Sequence, residues 1–142
     1  MPDRDAQVGV IASNGPEKEE AVAVWGDMTT PEVGPGDLFI ASAGPGDLAT
    51  ARTLIDIARK VGARTALVTA RAGGALANHM DVVTVIPAQT MADDRGVKLS
   101  VLPMGSLFET ARMIAFELAI LKLRPRFHET AETTRARHAN LE

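Results

Sequence analysis

The chain has 142 residues, a net charge of −3, no cysteine and a single tryptophan. That length is the length of one domain; the missing cysteines exclude disulfides, thiol nucleophiles and thiolate metal sites, and the acidic balance argues against a nucleic-acid partner. Hydrophobic residues make up 46% but aromatics only 4%, so the core has to be assembled from Ala, Val, Leu, Ile and Met.

The opening segment MPDRDAQ has no apolar signal core and no apolar run is long enough to span a bilayer, so a cytoplasmic protein without a membrane partner is expected. Gln7 to Ala12 reads as a strand, and Ser13-Asn14-Gly15-Pro16 is a turn signal. Glu17 to Glu20 is a charged, solvated patch, and Ala21 to Trp25 is a second short strand. The interval between the two runs is short for a parallel crossover. They form either an antiparallel hairpin or a pair whose crossover helix has been lost. Gly26 to Gly36 is a loop rich in Thr, Pro and Gly, in which Thr29 and Thr30 are candidates to approach a sugar.

The centre of the chain is Gly36 to Thr69. Asp37 to Ser42 has the length of a buried strand, and Gly44-Pro45-Gly46 breaks it. Leu48, Ala51, Ile55, Ala58 and Val61 then recur at helical spacing, with Asp47 assigned to the first turn, Arg59 and Lys60 to the last, and Gly62 just beyond. Arg64 to Thr69 is the next strand. Strand, helix and strand in this order imply parallel pairing. In such a unit the turn after the first strand faces the ligand, and the amides at the helix start suit a phosphate or carboxylate.

Ala70 to Met80 reads as a loop with a short helix, Asp81 to Pro87 as a further strand, and Ala88 to Ser100 as a long polar loop. Pro103 to Leu123 is the longest helix, and its apolar residues cover far more than one stripe. Such a helix is either deeply buried or packed on a partner chain; in a small domain the partner is favoured, which predicts a homodimer or homotetramer. Pro125 ends it, and His128 to Glu142 is a polar, helical arm or active-site flap.

From Ala21 onward the order of elements resembles the sugar isomerase (SIS) domain, and within it the 6-phospho-3-hexuloisomerases. The resemblance is carried by the strand–turn–helix at Gly36–Gly62, by Gly74-Ala-Leu-Ala77 with Asp81-Val-Val, by Pro103-Met-Gly-Ser-Leu-Phe-Glu109, similar to the family's P-x-G-[ST]-x-F-E helix start, and by Arg137-His-Ala-Asn-Leu-Glu142, close to its R-H-A-x-L-E ending. It covers roughly the last five-sixths of the chain. It implies an α/β fold: a three-layer, doubly wound, mostly parallel Rossmann-like sheet with a C-terminal helical arm. Residues 1–142 then form one SIS-like domain, with 1–20 a short or divergent N-terminal part and 125–142 the arm.

The resemblance also implies a chemistry, the interconversion of aldose and ketose phosphates through an enediol, with no metal and no cofactor. Glu109 matches the family's base, which works best when burial lifts its pKa toward neutrality. His138 matches a histidine that assists ring opening or proton shuffling, often in a neighbouring subunit's site. The implied partner is a small-molecule sugar phosphate or related anion, bound at Ser42, Ala43, Gly44, Gly46, Asp47 and Leu48. Here the chain departs from its family. The phosphate turn S-x-S-G-x-T reads Ala43-Gly-Pro45-Gly46-Asp47-Leu48, so all three hydroxyls are gone and Pro45 removes an amide donor. Ser42, one place earlier, is the nearest substitute, and the family's earlier Gly-Arg-Ser segment has no counterpart beyond Ser13-Asn14-Gly15.

Each signal has a plainer reading. Ser106-Leu-Phe-Glu109 also fits a capping box. His138 sits among arginines on a polar helix, as surface histidines do, and His79 and His128 belong to no motif. Gly44 and Gly46 suit a tight turn with or without a ligand; Met104 and Met113 suit core or interface filling. Three functions follow: an aldose–ketose isomerase, a regulatory SIS module that binds sugar phosphates without turnover, or an NADP-binding domain. The third rests on Gly44-Pro-Gly46-Asp-Leu-Ala49, which fits the G-x-G-x-x-[GA] spacing, and on Arg71 as a partner for a 2′-phosphate.

Overall fold

The computed structural model describes residues 6–12, 21–24, 32–93, 100–101, 105–128 and 130–136. Five strands, β1 (Ala6–Ala12), β2 (Ala21–Val24), β3 (Leu38–Ala43), β4 (Arg64–Thr69) and β5 (Val82–Val85), form one sheet in the order β2-β1-β3-β4-β5. The helices are α1 (Ala49–Lys60), α2 (Ser106–Leu123) and α3 (Ala131–Ala136), with 3-10 turns at Ala77–His79 and Met91–Asp93. β3, β4 and β5 are parallel, with Leu38 opposite Arg64 and Ala66 opposite Val82. β1 runs antiparallel to both neighbours, Gly9 facing Val24 on one side and Ile40 on the other. The fold is thus α/β around three parallel strands, and of the two readings of the N-terminal runs the chain adopts the hairpin.

α1 forms where the apolar spacing placed it, and Ala51, Ile55 and Ala58 are buried against Phe39, Ala41 and Ala43 of β3 and Leu67 of β4. Complete burial of Ile55 and Leu67 contributes about 1.5–3 kcal/mol each. The alanines contribute less, and they let helix and sheet approach closely. The C-terminal end closes as a Schellman motif: Ala63 N–H donates to Ala58 O and Gly62 N–H to Arg59 O, both 3.0 Å, with Gly62 at φ 87°. Arg59 and Lys60 lie in the last turn as expected.

The N-terminal end differs. The N-cap is Leu48 in extended conformation, and no acidic residue stands in the first turn, so Asp47 lies ahead of the helix. Gly46, at φ 75°, still belongs to the bend that reverses the chain out of β3, and Leu48 is drawn into the core. Val61 is the C-cap and exposed rather than a continuation of the buried stripe.

α2 has Gly105 at its N-cap and buries only Phe108 and Arg112. Met113, Ile114, Leu118, Ile120, Leu121 and Leu123 remain 44–60% exposed, so the alternative of deep burial is not realised within this chain. The polar stretch after β5 is less solvated than its composition suggests, since Gln89 and Thr90 are both buried.

Candidate active site

The glycine turn after β3 is held from two sides. Gly46 N–H closes the bend on Ala43 O (3.0 Å). Gly44 O accepts from Ala70 N–H (3.0 Å) and Thr69 Oγ1 (3.2 Å), and Gly46 O accepts from Leu76 N–H (3.1 Å). The chain leaving β4 therefore satisfies the carbonyls of the turn, as buried carbonyls require. On the other side, a Cβ added at Gly44 would stand 2.9 Å from Phe108 Cδ1 and 3.1 Å from Thr90 Cγ2. The start of α2 is seated on the turn through that gap.

Beside this contact opens a shallow cleft lined by Gly44, Pro45, Thr90, Met91, Gly105, Phe108 and Glu109. It lies beyond the carboxyl end of β3, where open α/β sheets bind their ligands. The cleft is shallow and open to solvent, so the described residues supply one wall of a site rather than a complete enclosure.

The candidate residues fall into distinct places. Glu109, Gly44 and Pro45 line the cleft together. Ser42 is buried one residue below the turn and accepts a 3.3 Å hydrogen bond from Arg112 Nη1. Arg112 Nη2 is also ion-paired with Glu109 Oε2, one turn earlier on α2. Ala43 and Gly46 are buried, Leu48 packs on the core, and Asp47 is exposed. His138, Thr29, Thr30 and Met104 lie outside the described residues. The helix takes Gly105 as its N-cap and Ser106 as its first residue.

At the rim, Thr90 donates both its hydroxyl (2.8 Å) and its amide (3.2 Å) to Asp93 Oδ2, and Arg71 pairs with Asp93 Oδ1. The Thr90 hydroxyl bond, then its amide bond, then Arg71 hold the Asp93 carboxyl below the usual carboxylate range. Arg71, offered by the sequence to a 2′-phosphate, is thus engaged by a carboxylate. Among the described residues no group of three His, Cys, Asp or Glu is arranged to hold a metal ion, and no helix is long and apolar enough to cross a membrane. Arg112, Thr90 and Phe108 are the site residues that sequence reasoning missed. The signal for Arg112 was a cation one turn after Glu109 on a mostly apolar helix.

No protein-family profile matches the chain. It is 36% identical over 121 residues to the 3-hexulose-6-phosphate isomerase of Mycobacterium gastri, covering 85% of this chain and 60% of that protein. It is 33% identical over 121 residues to the 3-hexulose-6-phosphate isomerase of Methylomonas aminofaciens, covering 85% of this chain and 66% of that protein. The chain therefore spans three-fifths to two-thirds of the length of these curated relatives. Its fold matches, with a TM-score of 0.69 at 24% identity, a hypothetical protein of Methanococcus jannaschii for which a 3-hexulose-6-phosphate isomerase function was inferred. That match covers 83% of this chain and 62% of the other. The glycine turn at the end of a parallel strand, the α/β fold and these relatives agree: the chain belongs to the sugar isomerase (SIS) family, as a relative of the 3-hexulose-6-phosphate isomerases.

Proposed function

We propose that this chain is a phosphosugar isomerase of the 3-hexulose-6-phosphate isomerase type, with Glu109 as its base. The observation that carries this is the placement of Glu109 and the glycine turn on one cleft at the carboxyl end of β3. A 3-hexulose carries its carbonyl at C3. An ionised carboxylate beside it takes the proton from the neighbouring hydroxyl-bearing carbon, the hydroxyl proton passes to the former carbonyl oxygen through the enediol, and the carbon-bound proton returns to the former carbonyl carbon, so that the carbonyl has moved by one position. The phosphate, on this reading, lies against the amides at the start of α1, which has no side-chain cap. They would stand in for the hydroxyls that the turn lacks.

The small cleft and the exposed apolar length of α2 support a homo-oligomer in which a second subunit completes the site, with His138 as its contribution. The single domain over 1–142, its three-layer doubly wound architecture and a cytoplasmic location belong to the same reading.

Glu109→Gln tests it. With a 3-hexulose 6-phosphate as substrate, turnover should fall by about 10²–10⁴-fold while calorimetric binding persists; unchanged turnover removes Glu109 as the base. Binding without turnover by the unmodified chain supports the regulatory module instead.

A further inference from the structure

We propose that Arg112 sets both the charge state and the position of Glu109, as a positioning residue that fastens the carboxylate to the end of β3. The proposal rests on the reading of Glu109 as the base. Arg112 stands in the middle of a helix stretch that is otherwise mostly Ala, Ile, Leu, Met and Phe, yet its side chain is only 8% exposed. A guanidinium withdrawn from water to this degree costs free energy unless its charge and its donors are met. An apolar residue of similar volume would serve folding at least as well. The position therefore calls for an explanation beyond packing, and the two bonds supply one. Nη2 pairs with Glu109 Oε2, and Nη1 donates to Ser42 Oγ at 3.3 Å. Ser42 is itself 3% exposed and belongs to β3, the strand that ends in the glycine turn. One planar fork thus joins the carboxylate on α2 to the strand that carries the turn.

Arg112 is not among the residues that line the cleft, whereas Glu109 lines it and keeps 25% of its side chain exposed. The arginine consequently acts through the glutamate and does not touch a ligand. Among the described residues that line the cleft with Glu109, the others are uncharged: Gly44 and Pro45 of the turn, Thr90 and Met91 of the segment after β5, and Gly105 and Phe108 at the start of α2. Behind Thr90, Asp93 is bonded to that residue and paired with Arg71. A contacting guanidinium favours the ionised form of a carboxyl group. The base is then ready to accept a proton at neutral pH, at the expense of some basicity, and it is aimed by a bond that moves with β3.

The test uses the full chain labelled with ¹³C at the glutamate carboxyls, with the Glu109 signal assigned by its absence in Glu109→Gln. In Arg112→Met the Glu109 titration midpoint should rise by about one unit relative to the unmodified chain. Turnover of a 3-hexulose 6-phosphate should then lose about tenfold in kcat on the acid limb and recover as pH rises, with KM changed less than about threefold. An unchanged midpoint overturns the proposal. This readout needs no substrate: a chain that turns nothing over, yet shows the shift, loses the isomerase reading and keeps the coupling of Arg112 to Glu109. Where Arg112→Met does not fold, Arg112→Lys carries the test. A lysine keeps the charge but cannot fork to both partners, so the midpoint stays while kcat falls about tenfold. An unchanged kcat in that variant overturns the positioning role.

Discussion

Gly74→Ala should dislodge the glycine turn from a distance. A Cβ at Gly74 would lie 2.5 Å from Gly46 O, 2.7 Å from Gly46 Cα and 2.9 Å from Gly46 C, while ordinary contact begins near 3.4 Å. All three obstacles are backbone, so no rotamer change relieves the clash, and the two segments must part by roughly 0.9 Å. Overpacking of this kind costs about 1–3 kcal/mol. The separation also strains the Leu76 N–H bond to Gly46 O, 3.1 Å in the native structure, at a further cost of about 1 kcal/mol. Together they predict a loss of about 2–4 kcal/mol, read as a lower urea midpoint at unchanged slope. In a domain of this size that amounts to roughly 4–16 °C in Tm. A variant within about 0.5 kcal/mol of the unmodified chain would show that the loop after β4 does not clamp the turn.

Two further outcomes follow from the described surfaces and carboxylates. Asp81 Oδ2 accepts the Thr65 amide at 2.7 Å and the Thr65 hydroxyl at 3.0 Å, and these bonds, the amide first, hold its carboxyl below the ordinary 3.8; Asp93 is lowered in the same way by Thr90. Because both folded values lie below the unfolded one, the stability they contribute is complete above the unfolded value and drains away as pH falls through the folded values. Urea midpoints should fall below about pH 4, and Asp81→Asn should flatten that fall; an identical slope in the variant would refute the assignment. Exposed α2 residues predict that Ile114→Lys with Leu118→Lys shifts sedimentation from an oligomer to a monomer, and a monomeric unmodified chain at micromolar concentration would contradict the oligomer.

The β3–α1–β4 unit was legible because each of its signals is local: an apolar run, a glycine break, a helical period and a glycine stop. Of its two misplaced residues, Val61 and Asp47, the second shows where locality ends. Whether the bend finishes at Gly46 or continues to Leu48 depends on the core position that Leu48 occupies. The N-terminal hairpin stayed undecided in the sequence because a short interval excludes a helix but does not choose a partner strand. Arg112 was invisible for a related reason. Glutamate and arginine three apart on a helix read as an ordinary surface pair, and only the contact with Ser42 on β3 shows that this pair faces inward. Gln89 and Thr90 read as loop residues by composition, yet local partners let them be buried: Ser100 N–H donates to Gln89 Oε1 and Thr90 donates to Asp93. That Glu109 should meet the glycine turn came from the family resemblance, since no spacing along the chain connects them.

The alanine seam between α1 and the sheet carries a lesson about tolerance to sequence change. Ala41, Ala43, Ala51 and Ala58 are nearly or wholly without exposed surface, so the gap between helix and strands is set by methyl groups and main chain. Trimming such a position removes little volume, whereas enlarging it has nowhere to go. Drift in this domain should therefore run in one direction at the seam, toward glycine and serine before valine.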